Sequence, residues 1–448
     1  MPQLPYPQWL NPGDNAWQLT AATLVGLMSV PGLVVLYGGV MQKRWSVNSM
    51  MLAFTGFAAV LIVWVLYAFD MGFGNAWHGI SGHGFWGNFI GQPGAVLNHA
   101  KEQGQATIPT ITSGPPWHFP QSSLVYFQFV FAAITPLLLL GSVLGRINFK
   151  AWLVFVPIWI SGVYVVNAFL IWGGGWWAQK GALDFSGGYV IHLTAGVAGF
   201  VAAWVIGPRL ARDREIDAPN NLLMVATGAG FLWLGWNGFN GGDPYYAGAD
   251  AAAAVLNTNL CTAVAVLVWV TWDYMTGRKP SLLGTVNGMI VGLVAITPAA
   301  GFVNGWGAIL IGVIASSIVY VAYNYLSRVR PFRSVDDTLG VVYTHGFAGL
   351  AGGLLVGLFA DSNMAVYLNK DGTPAFSGTG SLHLLKVQAY VGLWVISFTA
   401  VATFIILKLV GLVIPLRMSE KDMEEGDIAV HGHEVYPSDI PSLGVHGT

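Results

Sequence analysis

Two octapeptides in this chain share one pattern: HLTAGVAG, residues 192–199, and HGFAGLAG, residues 345–352. Each is a histidine followed by alanine and glycine at the same offsets, inside a long apolar segment. In a helix, residues three, four and seven positions after the histidine lie on its own face. Small residues on that face predict a close contact between helices, because they let two backbones approach.

The composition around these octapeptides is that of an integral membrane protein. The 448 residues are 54% hydrophobic and 9% charged, whereas soluble domains carry about 25% charged residues. The apolar residues form runs of about 20, the length that a helix needs to cross a bilayer. Membrane β-barrels show alternating segments of about 10 residues instead. The net charge of −2 gives no indication of a nucleic-acid partner.

The apolar runs predict an all-α fold with eleven transmembrane helices. One membrane domain is expected over residues 1–417, followed by a C-terminal tail, 418–448. Lysine and arginine concentrate in alternate connections and in the tail, which predicts that the N-terminus is outside the cell and the tail inside. The expected spans are 16–41, 50–72, 121–144, 152–173, 185–207, 220–239, 251–275, 282–300, 305–327, 338–360 and 383–415.

The spacing of the octapeptides predicts an internal repeat. They fall in spans 5 and 10, and the tetrapeptide AITP occurs in spans 3 and 8, at 133–136 and 295–298. An offset of five helices inverts the second copy, so the halves near 16–207 and 220–360 are expected to form an inverted repeat. Span 11, near 383–415, is then an additional helix.

The two histidines of the octapeptides, His192 and His345, are the only histidines of ten in the interior of a predicted span, since His383 stands at the outer edge of span 11. The repeat places both near the membrane midplane, where ionisable groups commonly mark a pathway. Two other interpretations stay open: a structural pair that bridges helices, and axial ligands of a haem.

The stretch DFSGGYVIHLTAGVAGFVAAWVIGPR, residues 184–209, resembles the signature of the ammonium transporter family, which comprises the Amt, Mep and Rh proteins. Further segments resemble the family in the right order: GRINF, WGGG, GWNGFN, KPSLLG, THG and LRMSEKDMEEGD. The resemblance, to the Amt branch, covers nearly the whole chain. It implies eleven helices per subunit, a homotrimer, and a pore through each subunit lined by His192 and His345.

The resemblance assigns roles to several aromatic residues. It implies that Phe127, Phe131 and Trp172 contribute to an outer cation site, and that Phe131 and Phe239 stack as a gate. Ring faces can hold a cation as it loses water, although membrane-interface anchoring or core packing would also explain these residues. Asp184 suits a structural helix cap better than a cation contact.

Two positions depart from the family pattern. Asp243 replaces a serine that is usual at the outer site, and it is either a turn residue before Pro244 or a negative charge at a partly wet cation mouth. Gly340 replaces an acidic residue that many members carry five positions before the second histidine. This replacement predicts a looser contact at the start of span 10.

The implied function is passage of ammonium or ammonia, and of methylammonium as an analogue, across the cytoplasmic membrane, with no enzymatic activity, cofactor or metal. The alternative is an ammonium sensor of the same fold that acts through a partner protein. A neutral-solute channel of the Rh type is disfavoured by Trp172. By resemblance, a PII-type regulatory protein is a candidate partner at the cytoplasmic face.

Overall fold

The computed structural model describes residues 6–78, 86–111, 116–215, 218–364, 366–368 and 374–436. Eleven long or apolar helical segments dominate these residues, and they are labelled α1 to α11 in chain order. In that order they are Pro12–Val40, Lys43–Phe73, Gln121–Leu140, Phe149–Gln179, Gly188–Ile206, Leu222–Gly241, Ala249–Met275, Leu282–Ile296, Gly305–Arg328, Val342–Phe359 and Leu382–Gly411.

The predicted all-helical membrane fold is confirmed. Ten of these segments, searched over the described residues, are long and apolar enough to cross a membrane. The remaining segment, α8, has only 15 helical residues and ends at Ile296. The sequence predicted a span as far as residue 300. The chain leaves the helix at Thr297 and Pro298, because proline cannot donate to the carbonyl four residues earlier.

Smaller elements connect the helices. Short helices cover His99–Gln103, Ala211–Glu215, Glu420–Glu425 and Asp427–His431, and α4 ends in a separate helical turn, Trp176–Gln179. One antiparallel pair of three-residue strands, Val366–Leu368 and Pro374–Phe376, lies between α10 and α11. We call the side of the molecule that carries residues 86–111 the loop face, and the side that carries residues 418–436 the tail face.

The tail packs against the membrane helices. The Asp427 carboxylate accepts hydrogen bonds from the backbone N–H groups of Val47 and Asn48, both at 2.8 Å. The Arg44 guanidinium donates to the carbonyls of Met423 and Glu424, each at 2.8 Å, and it pairs with Asp213. The tail therefore covers the start of α2. The boundary at residue 418 stays a prediction.

The start of α5 and the start of α10 are related in the way that an inverted repeat requires. Phe185 and Ser186 N–H donate to the carbonyls of Pro298 and Thr297, the segment after α8 on the loop face, both at 3.1 Å. On the tail face, the N–H groups of residues 338 and 339 donate to the carbonyls of residues 142 and 141, the segment after α3, both at 3.2 Å. Each crossing helix thus begins on the turn that ends its partner span.

The AITP tetrapeptides do not occupy equivalent places in the repeat. Pro136 lies inside α3, which continues to Leu140, whereas Pro298 lies beyond the end of α8 at Ile296. In the hydrogen bonds at the starts of α5 and α10, the position equivalent to Thr297 is Gly141, since each of these carbonyls accepts from the second of the two N–H donors. The tetrapeptide was therefore a misleading marker of a repeat that the helix starts support.

The glycines of the octapeptides bring α5 and α10 into direct backbone contact. A Cβ added to Gly196 would lie 2.4 Å from the Cα of Gly346, and one added to Gly349 would lie 2.5 Å from the carbonyl oxygen of Gly188. Any larger residue would separate the helices. The close approach that the small-residue pattern predicted is present.

Candidate functional site

The two octapeptide histidines meet at the crossing of α5 and α10. The Nδ1 atoms of His192 and His345 are 3.2 Å apart, and the rings are nearly parallel, with centroids 5.4 Å apart. At this distance one Nδ1 can donate a hydrogen bond and the other can accept it, with the roles set by the tautomer of each ring. Axial ligands bind a haem iron from opposite faces of the macrocycle, so two imidazoles whose nitrogens are in direct hydrogen-bond contact do not fit the haem interpretation.

The backbone around each histidine follows the same plan. His192 lies in a wide, π-type turn over Gly188–Leu193, and His345 in one over Val342–Phe347. Such turns are rare and are frequent at functional sites. Gly187 precedes the first turn with φ of 109° and Gly340 precedes the second with φ of 68°, a backbone region that favours glycine.

A buried carboxylate begins each of these helices. Asp184 accepts from the N–H groups of four residues, 187 to 190, at 2.7 to 3.1 Å. Burial raises the pKa of Asp184 to about 6, against the opposing effect of these four donors. The carboxylate therefore accepts from the backbone N–H groups that have no partner within the helix at its start.

Asp337 occupies the corresponding position before His345, and sequence reasoning missed it. Its carboxylate accepts from Val342 N–H at 2.8 Å, and burial raises its pKa, while the Val342 and Val341 N–H groups and the Ser142 hydroxyl lower it. The signal was present, because the spacing D-x-x-G-x₄-H occurs before both histidines. Asp337 supplies an acidic contact at the start of α10 and Gly340 supplies the positive φ, while the looser contact expected from Gly340 stays a prediction.

Aromatic rings form a column from the loop face to the histidines. The centroid distances are 4.7 Å for Phe127 and Phe131, 4.4 Å for Phe131 and Phe239, and 5.8 Å for Phe239 and His192. The three phenylalanines are fully buried. Because the Phe131 and Phe239 rings are in contact, they close the column on the loop-face side of the histidines.

Trp172 stands at the loop-face end of this column. Its ring lies 6.3 Å from Phe131 in an edge-to-face arrangement, and its indole N–H donates to the carbonyl of Asp184 at 2.7 Å. The indole is only half-buried. The fold thus brings together the four aromatic residues that the sequence selected, and it links one of them to the start of α5.

Asp243 lies in a turn and is buried. The Tyr245 N–H donates to the Gly242 carbonyl at 3.0 Å, while the Asp243 residue is 7% exposed. Burial raises the pKa of the Asp243 carboxyl well above its ordinary value, and a hydrogen bond with the Ser186 side chain lowers it. A Cβ added to Gly242 would lie 2.4 Å from the Phe127 ring. The carboxyl is therefore beside the aromatic column, in a drier place than the sequence suggested.

A cavity of about 120 Å³ opens on the tail-face side of the histidines. Its lining is mostly apolar, with polar groups from Tyr37, Asn287, Thr338, Thr344 and His345. Trp236 also lines it, and the indole stacks on His192 with centroids 5.3 Å apart. The phenyl rings, the histidines and this cavity therefore follow one another from the loop face toward the tail face of the protein.

Comparisons with known proteins agree with this arrangement. The model of a family described as Ammonium Transporter Family matches residues 16–436. Ammonium transporter 2 of Arabidopsis thaliana is 48% identical over 445 residues, 97% of this chain and 90% of that protein. Ammonium transporter 3 member 2 of Oryza sativa subsp. japonica is 48% identical over 441 residues, 96% and 90%. The structure resembles Saccharomyces cerevisiae Mep2, with a TM-score of 0.79 at 28% identity over 92% of this chain and 89% of that one.

Proposed function

The chain belongs to the ammonium transporter family, and we propose that it captures ammonium at the loop face, deprotonates it at the phenyl gate and passes ammonia along His192 and His345. Members of this family transport ammonium across membranes and are not enzymes. The single observation that carries the proposed path is the direct contact of two buried histidines behind a closed aromatic gate.

The arrangement addresses a selectivity problem. Ammonium and potassium carry the same charge and are similar in size, so a ring of carbonyl oxygens would pass both. A dry passage instead rejects every ion that keeps its charge, because transfer of an unpaired charge into an apolar medium is strongly unfavourable. Ammonium can release a proton and continue as a neutral molecule, whereas potassium cannot.

Capture is assigned to the loop-face end of the column. A cation between the Trp172 and Phe131 rings is attracted by their faces as it loses water. The Asp243 carboxylate adds a negative charge behind Phe127. Burial raises the pKa of the Asp243 carboxyl and so opposes its ionisation, whereas a bound cation favours ionisation, since each charge stabilises the other.

The histidine pair provides the polar route behind the gate. His192 Nε2 is buried and has no hydrogen-bond partner among the described residues, so ammonia or a water molecule can bond there. The hydrogen bond between the Nδ1 atoms lets each ring exchange donor and acceptor roles. We assign proton transfer to the same pair, which makes each turnover carry charge.

Electrical recording from proteoliposomes tests this function. An inward ammonium gradient is expected to evoke a current, and an equal potassium gradient is expected to evoke none. A potassium current of equal size would contradict passage as a neutral molecule. A shift of internal pH upon ammonium entry without current would limit the proposal to net conduction of ammonia.

The homotrimer is also proposed, and a polar chain on an exposed face supports it. Trp233 Nε1 donates to Asn259 Oδ1 at 2.9 Å, and Asn259 Nδ2 donates to Asn237 Oδ1 at 2.7 Å. The flanking Leu234 and Leu256 are 65% and 67% exposed. Half-buried amides among exposed leucines are costly against lipid and suit a contact with another copy. Mass measurement in mild detergent is expected to give three chains.

The tail face is assigned to the cytoplasm on the distribution of Lys and Arg. A PII-type regulatory protein is proposed to dock there, in keeping with the family resemblance, on the surface that the tail helices share with Arg44 and Arg212. Arg212 donates to the Glu424 carbonyl at 2.8 Å. Co-purification with a PII-type protein, compared between the full chain and a chain ending at residue 418, tests this assignment.

A further inference from the structure

The indole of Trp236, in α6, stacks on the ring of His192. The indole and the imidazole are nearly parallel, at 18°, with centroids 5.3 Å apart. The same indole stacks on Phe239 at 4.9 Å. Trp236 is 2% exposed. The ring of His192 is therefore enclosed between an indole, a phenyl group and the imidazole of His345.

One hydroxyl fixes the plane of this indole. Trp236 Nε1 donates to Thr297 Oγ1 at 2.9 Å, and Thr297 Oγ1 donates to the Leu293 carbonyl at 2.7 Å. The hydroxyl is fully buried. Because an indole N–H can only donate, this bond leaves it no polar group for the pore, and the ring presents only its face to His192.

The same threonine also holds the start of α5. Its carbonyl accepts from Ser186 N–H at 3.1 Å, and Ser186 Oγ donates to the carbonyl of Phe239 at 2.8 Å. Thr297 thus contacts both the indole that stacks on His192 and the backbone that leads into the turn containing His192. Thr297 belongs to the second AITP tetrapeptide, whose first copy lies in α3 and has another environment.

We propose that Trp236 and Thr297 are positioning residues that hold the His192 imidazole with its Nδ1 against Nδ1 of His345. This inference rests on the proposed function and names further residues of the same path. Without the hydroxyl, the indole would rotate to find another acceptor or leave its N–H unsatisfied. The imidazole could then turn about its χ2 axis, and a turned ring directs a carbon rather than Nδ1 toward His345.

In the part of the chain that the structure describes, aromatic rings other than the paired imidazole stack on His192 and not on His345, which distinguishes positioning of one histidine from general packing of both. Among the described ring contacts, His345 stacks only on His192, whereas His192 also stacks on Trp236 and Phe239. A disturbance at Thr297 should therefore alter the ring signals of His192 first, and those of His345 only through the hydrogen bond between the Nδ1 atoms.

The test compares Thr297→Val with Thr297→Ser and with Thr262→Val. Valine keeps the shape of threonine and removes the hydroxyl, while serine restores the acceptor. Thr262 is a matched control, since it is fully buried and its hydroxyl donates to the Thr258 carbonyl within α7 at 2.7 Å. Trp236→Phe removes the N–H itself and leaves a stacking ring. Size-exclusion profiles establish that each variant assembles.

Two measurements decide the proposal. Thr297→Val is expected to lower the maximal ammonium-evoked current about tenfold with an unchanged half-saturating concentration, while Thr297→Ser and Thr262→Val behave as wild type. Solid-state ¹⁵N spectra of labelled histidine should lose the Nδ1-to-Nδ1 hydrogen-bond signal in Thr297→Val and in Trp236→Phe.

Wild-type currents and wild-type histidine signals in Thr297→Val would overturn the positioning role. A wild-type chain that gives neither an ammonium-evoked current nor a shift of internal pH upon ammonium addition would instead contradict the proposed function, and the histidine spectra would still test the positioning. A half-saturating concentration that rises in Thr297→Val with an unchanged maximal current would also overturn the role, since positioning acts behind the capture site.

Discussion

Gly196 lies against Gly346 so closely that a methyl group on Gly196 would come within 2.4 Å of the Gly346 Cα. Gly346 directly follows His345, and Gly196 follows His192 by one helical turn. This backbone contact therefore sets the distance between the two imidazoles. It answers why a membrane protein carries the histidine and small-residue pattern twice: the small residues permit the crossing and the crossing pairs the histidines.

Gly196→Ala tests this relationship. The added methyl must push α5 from α10, and overpacking of this kind costs about 1–3 kcal/mol. The melting temperature in detergent and the ammonium-evoked current should both fall, because the Nδ1 atoms separate. Gly230→Ala in α6 is the control, since its added Cβ meets nothing within 4 Å. Equal losses in both variants would show that alanine in a membrane helix, and not the crossing, is responsible.

Replacement of either histidine by alanine should leave assembly intact and reduce the current. The imidazole is a polar bridge in a passage that is otherwise apolar, and general acid–base groups contribute about 10²- to 10⁴-fold to proton-transfer steps. His192→Ala and His345→Ala are therefore expected to lower the ammonium current by at least about tenfold. His99→Ala, at an exposed position on the loop face, should have no effect. Wild-type currents in both pore variants would make the pair structural.

The topology can be read independently of transport. A reporter placed after Arg214 or in the tail is expected to be cytoplasmic, and one within residues 86–111 is expected to be outside, since positively charged connections stay in the cytoplasm. Fusions after residues 279 and 333 serve as further cytoplasmic positions. An external signal after Arg214 would contradict the orientation, and external signals both there and within residues 86–111 would also contradict the three spans, α3 to α5, that separate the two positions.

Local sequence patterns predicted the parts of the fold that depend on local chemistry. Apolar runs located the helices because the bilayer demands about 20 apolar residues. The octapeptides located the crossing because close contact demands small residues. The end of α8 was misplaced, since Thr297, Pro298 and the following apolar residues are as hydrophobic as a span and yet form turns that receive the start of α5.

Some of the residues that sequence reasoning missed depend on contacts between distant segments. The bond from Trp236 to Thr297 joins positions 61 residues apart, and no local pattern reports it. Asp337 was missed for another reason: attention went to Gly340, although the same D-x-x-G-x₄-H spacing precedes both histidines. Burial of Asp243 could not be inferred either, because its neighbours Ser186 and Tyr164 come from other helices or their ends.

Asp243→Ser and Asp243→Asn test the negative charge beside the aromatic column. Even at an effective dielectric of about 40, a carboxylate about 6 Å away attracts ammonium by about 1.4 kcal/mol, or roughly tenfold in affinity, and a drier site strengthens the attraction. Both variants should therefore raise the half-saturating ammonium concentration several-fold, with a smaller change in maximal current. Salt should weaken this difference only partly, because a buried carboxylate is screened less than an exposed one.

The pH dependence gives the sharper outcome for Asp243. Burial raises the pKa of its carboxyl, so the charged, cation-binding form is present above that pKa and is lost as the external pH falls through it. The half-saturating concentration of the wild type should rise toward low pH, while that of Asp243→Ser and Asp243→Asn stays flat. Asp361→Ser, at a partly exposed position just beyond α10, should follow the wild type. Parallel pH curves for the wild type and Asp243→Asn would return Asp243 to the role of a turn residue and leave capture to Trp172 and the phenyl rings.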